Sequence, residues 1–156
     1  MTRELPLPAP RDAAERPRNR LLANLPLEEF EKIRPDLRTV PMKIRQVLVR
    51  ADDPIREIYF PNGGVASVTS VTLDGSTVEV ATVGNEGLVG MDAFLGGQVA
   101  AGETVIQVSD TSLEVLPLES FRRAIDRRGA FFEAVQRYAQ AFIKQLMQST
   151  ACMALH

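Results

Sequence analysis

A mainly β fold of the sandwich, jelly-roll or small-barrel type, flanked by helices and followed by one long helix, is what this sequence predicts. Three observations predict it. From Leu37 to about Leu116, short runs rich in Val, Ile and Thr alternate with turn signals, at the spacing of roughly 8 to 12 residues typical of all-β domains. After Pro117 the apolar period becomes helical and stays so to the end of the chain. The 156 residues suit one domain and are enough to bury a proper core.

Taken in order, residues 1–18 read as a disordered tail, because Pro6, Pro8, Pro10 and Pro17 forbid a continuous helix and charge dominates between them. Asn19 to Arg34 reads as a short helical segment. Pro26 suits a first turn, Asn24 is a candidate cap, and Leu27, Phe30 and Ile33 share a face until Pro35 ends the helix. Val40, Ile44 and residues 47–49 mark early strands, followed by a turn at 51–54 and a strand at 57–60. Val65 to Leu73 and Thr77 to Val83 form a hairpin around Asp74-Gly75-Ser76, where glycine supplies positive φ. Residues 103–108 and 112–116 are the last strand pair.

A first C-terminal helix is expected over 118–127, ended by Gly129, and a second from Ala130 to the C-terminus. A heptad reading of the second puts Phe132, Val135, Ala139, Phe142, Leu146, Ser149 and Met153 on one seam, polar only at Ser149. Phe131, Tyr138, Ile143 and Met147 widen that apolar surface. A helix so long is expected to pack one side on the strands and the other on a second copy, as a homodimer. The chain thus divides into a tail (1–18), a strand-rich body with flanking helices (19–128) and a dimerisation helix (129–156).

Composition excludes several functions. From Glu57 to Phe121, 65 residues hold nine carboxylates but no lysine or arginine. An anionic ligand bound there finds no side-chain cation. One cysteine, Cys152, rules out an intramolecular disulfide. One histidine, His156, at a chain end expected to fray, leaves no set of ligands for a zinc or cupin-type metal site and no base for a Ser–His–Asp or Cys–His arrangement. An enzyme is therefore not expected. No apolar run approaches the roughly 20 residues that span a bilayer, and the N-terminus has no signal-peptide core, so a cytoplasmic location is expected.

The segment Val83-Gly-Asn-Glu-Gly-Leu-Val-Gly-Met-Asp-Ala-Phe-Leu-Gly-Gly97 spaces its first glycines GxxGxxG, unlike the dinucleotide fingerprint, and lacks a phosphate-loop lysine. With the elements around it, this segment resembles the cyclic-nucleotide-binding domain of the Crp/Fnr superfamily of bacterial transcription regulators. Tyr59-Phe-Pro-Asn-Gly-Gly-Val65 falls at the strand–turn–strand glycine of that family, and Gly87-Leu-Val-Gly90 looks like the start of its ligand cassette. The resemblance covers residues 19–156. It implies an eight-stranded double-stranded β-helix (jelly roll) and a long C-terminal dimerisation helix. It also implies a ligand pocket at Gly87, Gly90, Met91, Asp92, Glu103 and Thr104.

Two departures qualify what the resemblance implies. Met91 stands where cyclic-nucleotide binders of this family carry a glutamate for the ribose hydroxyl. Residues 101–104, with Gly102 or Glu103 at the matching position, stand where they carry an arginine for the cyclic phosphate. A cyclic nucleotide is accordingly disfavoured, no other cofactor is expected, and any effector is an unknown small molecule. The family's long helix leads into a winged helix-turn-helix that reads DNA, whereas this sequence stops at His156. DNA binding is expected only if such a module follows. The reading that results is a sensor and dimerisation domain of a Crp/Fnr-type regulator. The alternative is a stand-alone dimeric module that pairs with a partner protein or a full-length relative.

Overall fold

The structure, a computed structural model, describes residues 15–110 and 112–155. Seven strands in these residues form two antiparallel sheets. One has the order β1-β7-β3, from β1 (Arg38–Pro41), β7 (Ser112–Pro117) and β3 (Glu57–Pro61). The other has the order β2-β6-β4-β5, from β2 (Val47–Val49), β6 (Glu103–Val108), β4 (Val65–Val71) and β5 (Thr77–Val83). Strands adjacent in a sheet are mostly distant in sequence, as in a jelly roll. The described residues hold no eighth strand; two isolated bridges, Pro54 with Val99 and Tyr59 with Val89, lie outside the ladders.

The hairpin forms where the sequence places it. Thr72 N–H donates to Ser76 O at 2.8 Å, and the Asp74 carboxylate accepts from Ser76 N–H at 3.0 Å and from the Thr72 hydroxyl. Gly75, at φ 87°, turns the chain. Ile44 belongs to no strand; it lies exposed in the β1–β2 connection, where no facing sheet covers it.

The N-terminal helical segment is two helices, α1 (Arg20–Ala23) and α2 (Leu27–Ile33), with a 3₁₀ turn at Arg34–Asp36. Asn19 caps α1: its side-chain oxygen accepts from Leu21 and Leu22 N–H, and its amide donates to Pro61 O and Gly87 O. The N-cap position of α2 is Pro26, not Asn24. Asn19 N–H also donates to Asn62 Oδ1 at 3.1 Å. Phe30 and Ile33 enter the core as the spacing predicts, but Leu27 faces solvent because it opens α2 on the outer side. Of the expected tail, residues 1–14 lie outside the described residues. Arg16 is docked, donating to Leu22 O (3.1 Å) and Leu25 O (3.0 Å) with its guanidinium 4.5 Å above the Phe30 ring. His156 also lies outside the described residues.

Helix α4 (Leu118–Asp126) and helix α5 (Ala130–Leu155) complete the chain. The left-handed residue between them is Arg128 (φ 55°) rather than Gly129, and its guanidinium sits 4.5 Å over the Phe132 ring. The hydrophobic core has two parts. One lies between the sheets, around Leu48, Ala66, Val83, Ile106, Leu113 and Val115. The other joins the helices to the β-body through Leu22, Phe30, Ile58, Phe60, Phe121, Phe131 and Val135. Phe131 anchors the second part, 5.8 Å from Phe121 edge-to-face and 6.4 Å from Phe60, and aromatic pairs in this geometry add about 1 kcal/mol each beyond their burial. The first half of α5 is thereby fixed to the body.

Candidate functional site

The glycine-bearing cassette leaves β5 at Val83 and is pinned to β3 by a reciprocal pair of hydrogen bonds, Tyr59 N–H to Val89 O (3.1 Å) and Val89 N–H to Tyr59 O (2.8 Å). Gly90 then takes φ 114°, which an L side chain rarely adopts, and a Cβ on it would lie 2.6 Å from Ile58 Cδ1. This turn starts the short helix α3 (Met91–Phe94), and Gly97 N–H closes back on Asp92 O at 2.8 Å. The cassette becomes a rigid lip.

Between that lip, the β4–β5–β6 sheet and α5 lies a cavity of about 420 Å3. Val68, Thr69, Ser70, Val80, Val83 and Thr104 form its sheet wall. Leu88, Gly90, Met91, Asp92 and Leu95 come from the cassette, and Ala100, Ala101 and Gly102 from the approach to β6. Phe142, Ile143, Leu146 and Thr150 of α5 close the remaining side. The Gln145 side-chain carbonyl accepts from Thr82 N–H at 2.7 Å and ties this part of α5 to β5.

The structure brings together Gly90, Met91, Asp92 and Thr104 of the predicted pocket residues. Gly87 and Glu103 are corrections. Gly87 lies behind the cassette against α5, where a Cβ would fall 2.1 Å from Tyr138 Cζ. Glu103 faces away from the cavity and pairs with Arg50 at 3.8 Å. Ala101 and Gly102, in the stretch where the resemblance implies an arginine, line the wall with almost no side chain. Phe142, Ile143, Leu146 and Thr150 were not foreseen as cavity residues. Their helical spacing shows that they share a face, but nothing in it says that the face looks onto β5.

The electrostatics are one-sided. Among the described residues the only charged side chain lining the cavity is Asp92, whose Oδ2 accepts from Ala101 N–H at 3.5 Å. Two of the lining hydroxyls donate inside the protein, Thr69 to Glu103 O (3.3 Å) and Thr150 to Leu146 O (2.9 Å). The lining backbone of Ala100 donates to Asp53 O (3.0 Å). No group of three or more His, Cys, Asp and Glu side chains among the described residues is placed to hold a metal ion.

Of the predicted dimer seam, Val135 and Ala139 are corrections: they are 0% and 5% exposed, packed into the chain's own core. Phe132 pairs with Phe94 at 5.7 Å, and Phe142 and Leu146 face the cavity. The heptad reading joined two halves of α5 that face different neighbours. What α5 leaves open to solvent is Ile143, Met147, Met153 and Leu155, with Met147 at 68% exposure. No helix of the described residues is long and apolar enough to cross a membrane.

The profile of the cyclic nucleotide-binding domain matches residues 40–128, more than half of the chain. No curated protein matches it in sequence. Among solved structures, the N-terminal domain of a transcriptional regulator from Streptomyces coelicolor A3(2) is 19% identical, with a TM-score of 0.57 over 85% of this chain and 90% of that one. The catabolite activator protein of Thermus thermophilus is 17% identical, with a TM-score of 0.63 over 86% of this chain and 62% of that one. A mutant regulatory subunit of a cAMP-independent protein kinase A from Trypanosoma brucei, bound to cAMP in its A site, is 16% identical, with a TM-score of 0.69. That match covers 87% of this chain, which spans about half (48%) of the trypanosome subunit.

Proposed function

The chain belongs to the cyclic nucleotide-binding domain family, and on that premise we propose that it is the sensor and dimerisation domain of a Crp/Fnr-type transcription regulator that does not take cyclic AMP in the usual way. One observation carries the reading. Helix α5 closes the cavity with Phe142, Ile143, Leu146 and Thr150, and the same half of the helix exposes Met147, Met153 and Leu155. A molecule in the cavity therefore touches the same helix that offers an apolar face to a second copy. Such a ligand shifts the helix arrangement by as much as its affinity differs between the two arrangements.

The lining supports the second half of the proposal. A cyclic phosphate would meet Asp92 and no cation, in a site where charges interact more strongly than in bulk water. Light scattering on the purified chain tests the dimer: twice the 17.2 kDa chain mass is expected, and a monomer at high micromolar concentration contradicts the reading.

A further inference from the structure

We propose that the cavity beneath α5 is a binding site for an uncharged, largely apolar small molecule, most simply one built on aromatic rings. The inference rests on the sensor reading above and names the class of effector. The volume of about 420 Å3 lies within the roughly 300–1,000 Å3 of small-molecule sites. The walls are made by Val68, Val80, Leu88, Met91, Phe142 and Leu146, so most of a ligand's surface would be covered by carbon. Hydrophobic burial at about 25 cal/mol per Å2 then supplies the affinity.

The polar groups decide the charge. Thr69 and Thr150 already donate to protein carbonyls, and the Ala101 N–H faces Asp92. Among the lining side chains, what the cavity offers a ligand is the Thr104 and Ser70 hydroxyls and an acceptor, the Asp92 carboxylate. That set suits a neutral molecule with one amine or hydroxyl donor. An anion is repelled by the one charge present, with no arginine or lysine anywhere from Glu57 to Phe121 to offset it.

Two fluorescent probes that differ by one charge test this. N-phenyl-1-naphthylamine is neutral and carries one N–H; 1-anilinonaphthalene-8-sulfonate has the same rings plus a sulfonate. The neutral probe is expected to bind saturably at one per chain, about tenfold or more tightly than the sulfonate. Asp92→Asn should narrow that gap, because it removes the repelling charge. Val80→Trp, which fills the cavity, should abolish binding of the neutral probe. Val68→Trp does so from the neighbouring strand, should Val80→Trp not fold. Ile44→Trp, on the exposed β1–β2 connection, should change nothing. Equal or tighter binding of the sulfonate, or no saturable binding of the neutral probe, overturns the proposal. Light scattering on the same samples keeps the two readings apart: a dimer that fails to bind the neutral probe refutes the ligand class alone, whereas a monomer refutes the sensor reading.

Discussion

Tyr138 of α5 packs directly against Gly87 of the cassette: a Cβ on Gly87 would sit 2.1 Å from the phenol Cζ and 2.3 Å from its oxygen. The contact couples the glycine segment to the helix, with no intervening loop. Gly87→Ala should therefore push α5 off the body and destabilise the fold by about 1–3 kcal/mol, the usual range for overpacking. In a Tyr138→Ala background the penalty should vanish, which a double-mutant cycle on denaturant midpoints measures. An undiminished penalty would place the strain elsewhere.

The two halves of α5 should respond differently to charge. Val135→Asp puts an unpaired carboxylate in the core and should cost on the order of 4 kcal/mol, seen as a large fall in the denaturation midpoint. Met147→Asp, at a solvent-facing site, should leave the fold within about 0.5 kcal/mol and yield monomers by light scattering. Dimers of unchanged mass would mean that the pairing face lies off α5.

Cyclic AMP at millimolar concentration should raise the melting temperature by less than about a degree, since a ligand stabilises only in proportion to its occupancy of the native state. A concentration-dependent rise of several degrees would show that donors outside the cavity lining reach the phosphate.

The chain has two tyrosines and no tryptophan, so tyrosinate absorbance near 295 nm reports on both directly. Burial, then the charge and hydrogen bond of Glu57, push Tyr59 from 10.0 up to about 12, and burial, then Glu86, pushes Tyr138 up as well. The native protein should show little tyrosinate at pH 10.5. Because the folded values are raised, the stability they contribute is complete below pH 10 and is lost as pH climbs toward 12. Glu57→Gln should shift the Tyr59 step to lower pH. A full tyrosine titrating at pH 10 in the folded chain would contradict the packing of that residue.

Local chemistry made most of the fold legible. The Asp74-Gly75 turn, the Val- and Thr-rich strands and the change of period after Pro117 each fix an element by backbone or side-chain sterics. What escaped depends on long-range contacts. Asn19 gives no sign of its role as a cap until Pro61 O and Gly87 O arrive to satisfy its amide. Val135 and Met153 look alike on the heptad seam until the body covers the first and not the second. The missing cations were plain in the sequence. The apolar cavity was not, because its walls combine β4, β5, the cassette and α5, which periodicity cannot bring together.

Helix α5 closes the cavity and, in the proposed dimer, also pairs two chains. Cys152, the sole cysteine, is exposed near the end of α5 and accepts a spin label without further substitution. Dipolar spectroscopy on the labelled chain should give one narrow, short distance, since paired parallel helices lie about 8–10 Å apart. Adding N-phenyl-1-naphthylamine should shift or sharpen that distance. No dipolar signal, or a distance that ignores the probe at saturation, would contradict the account.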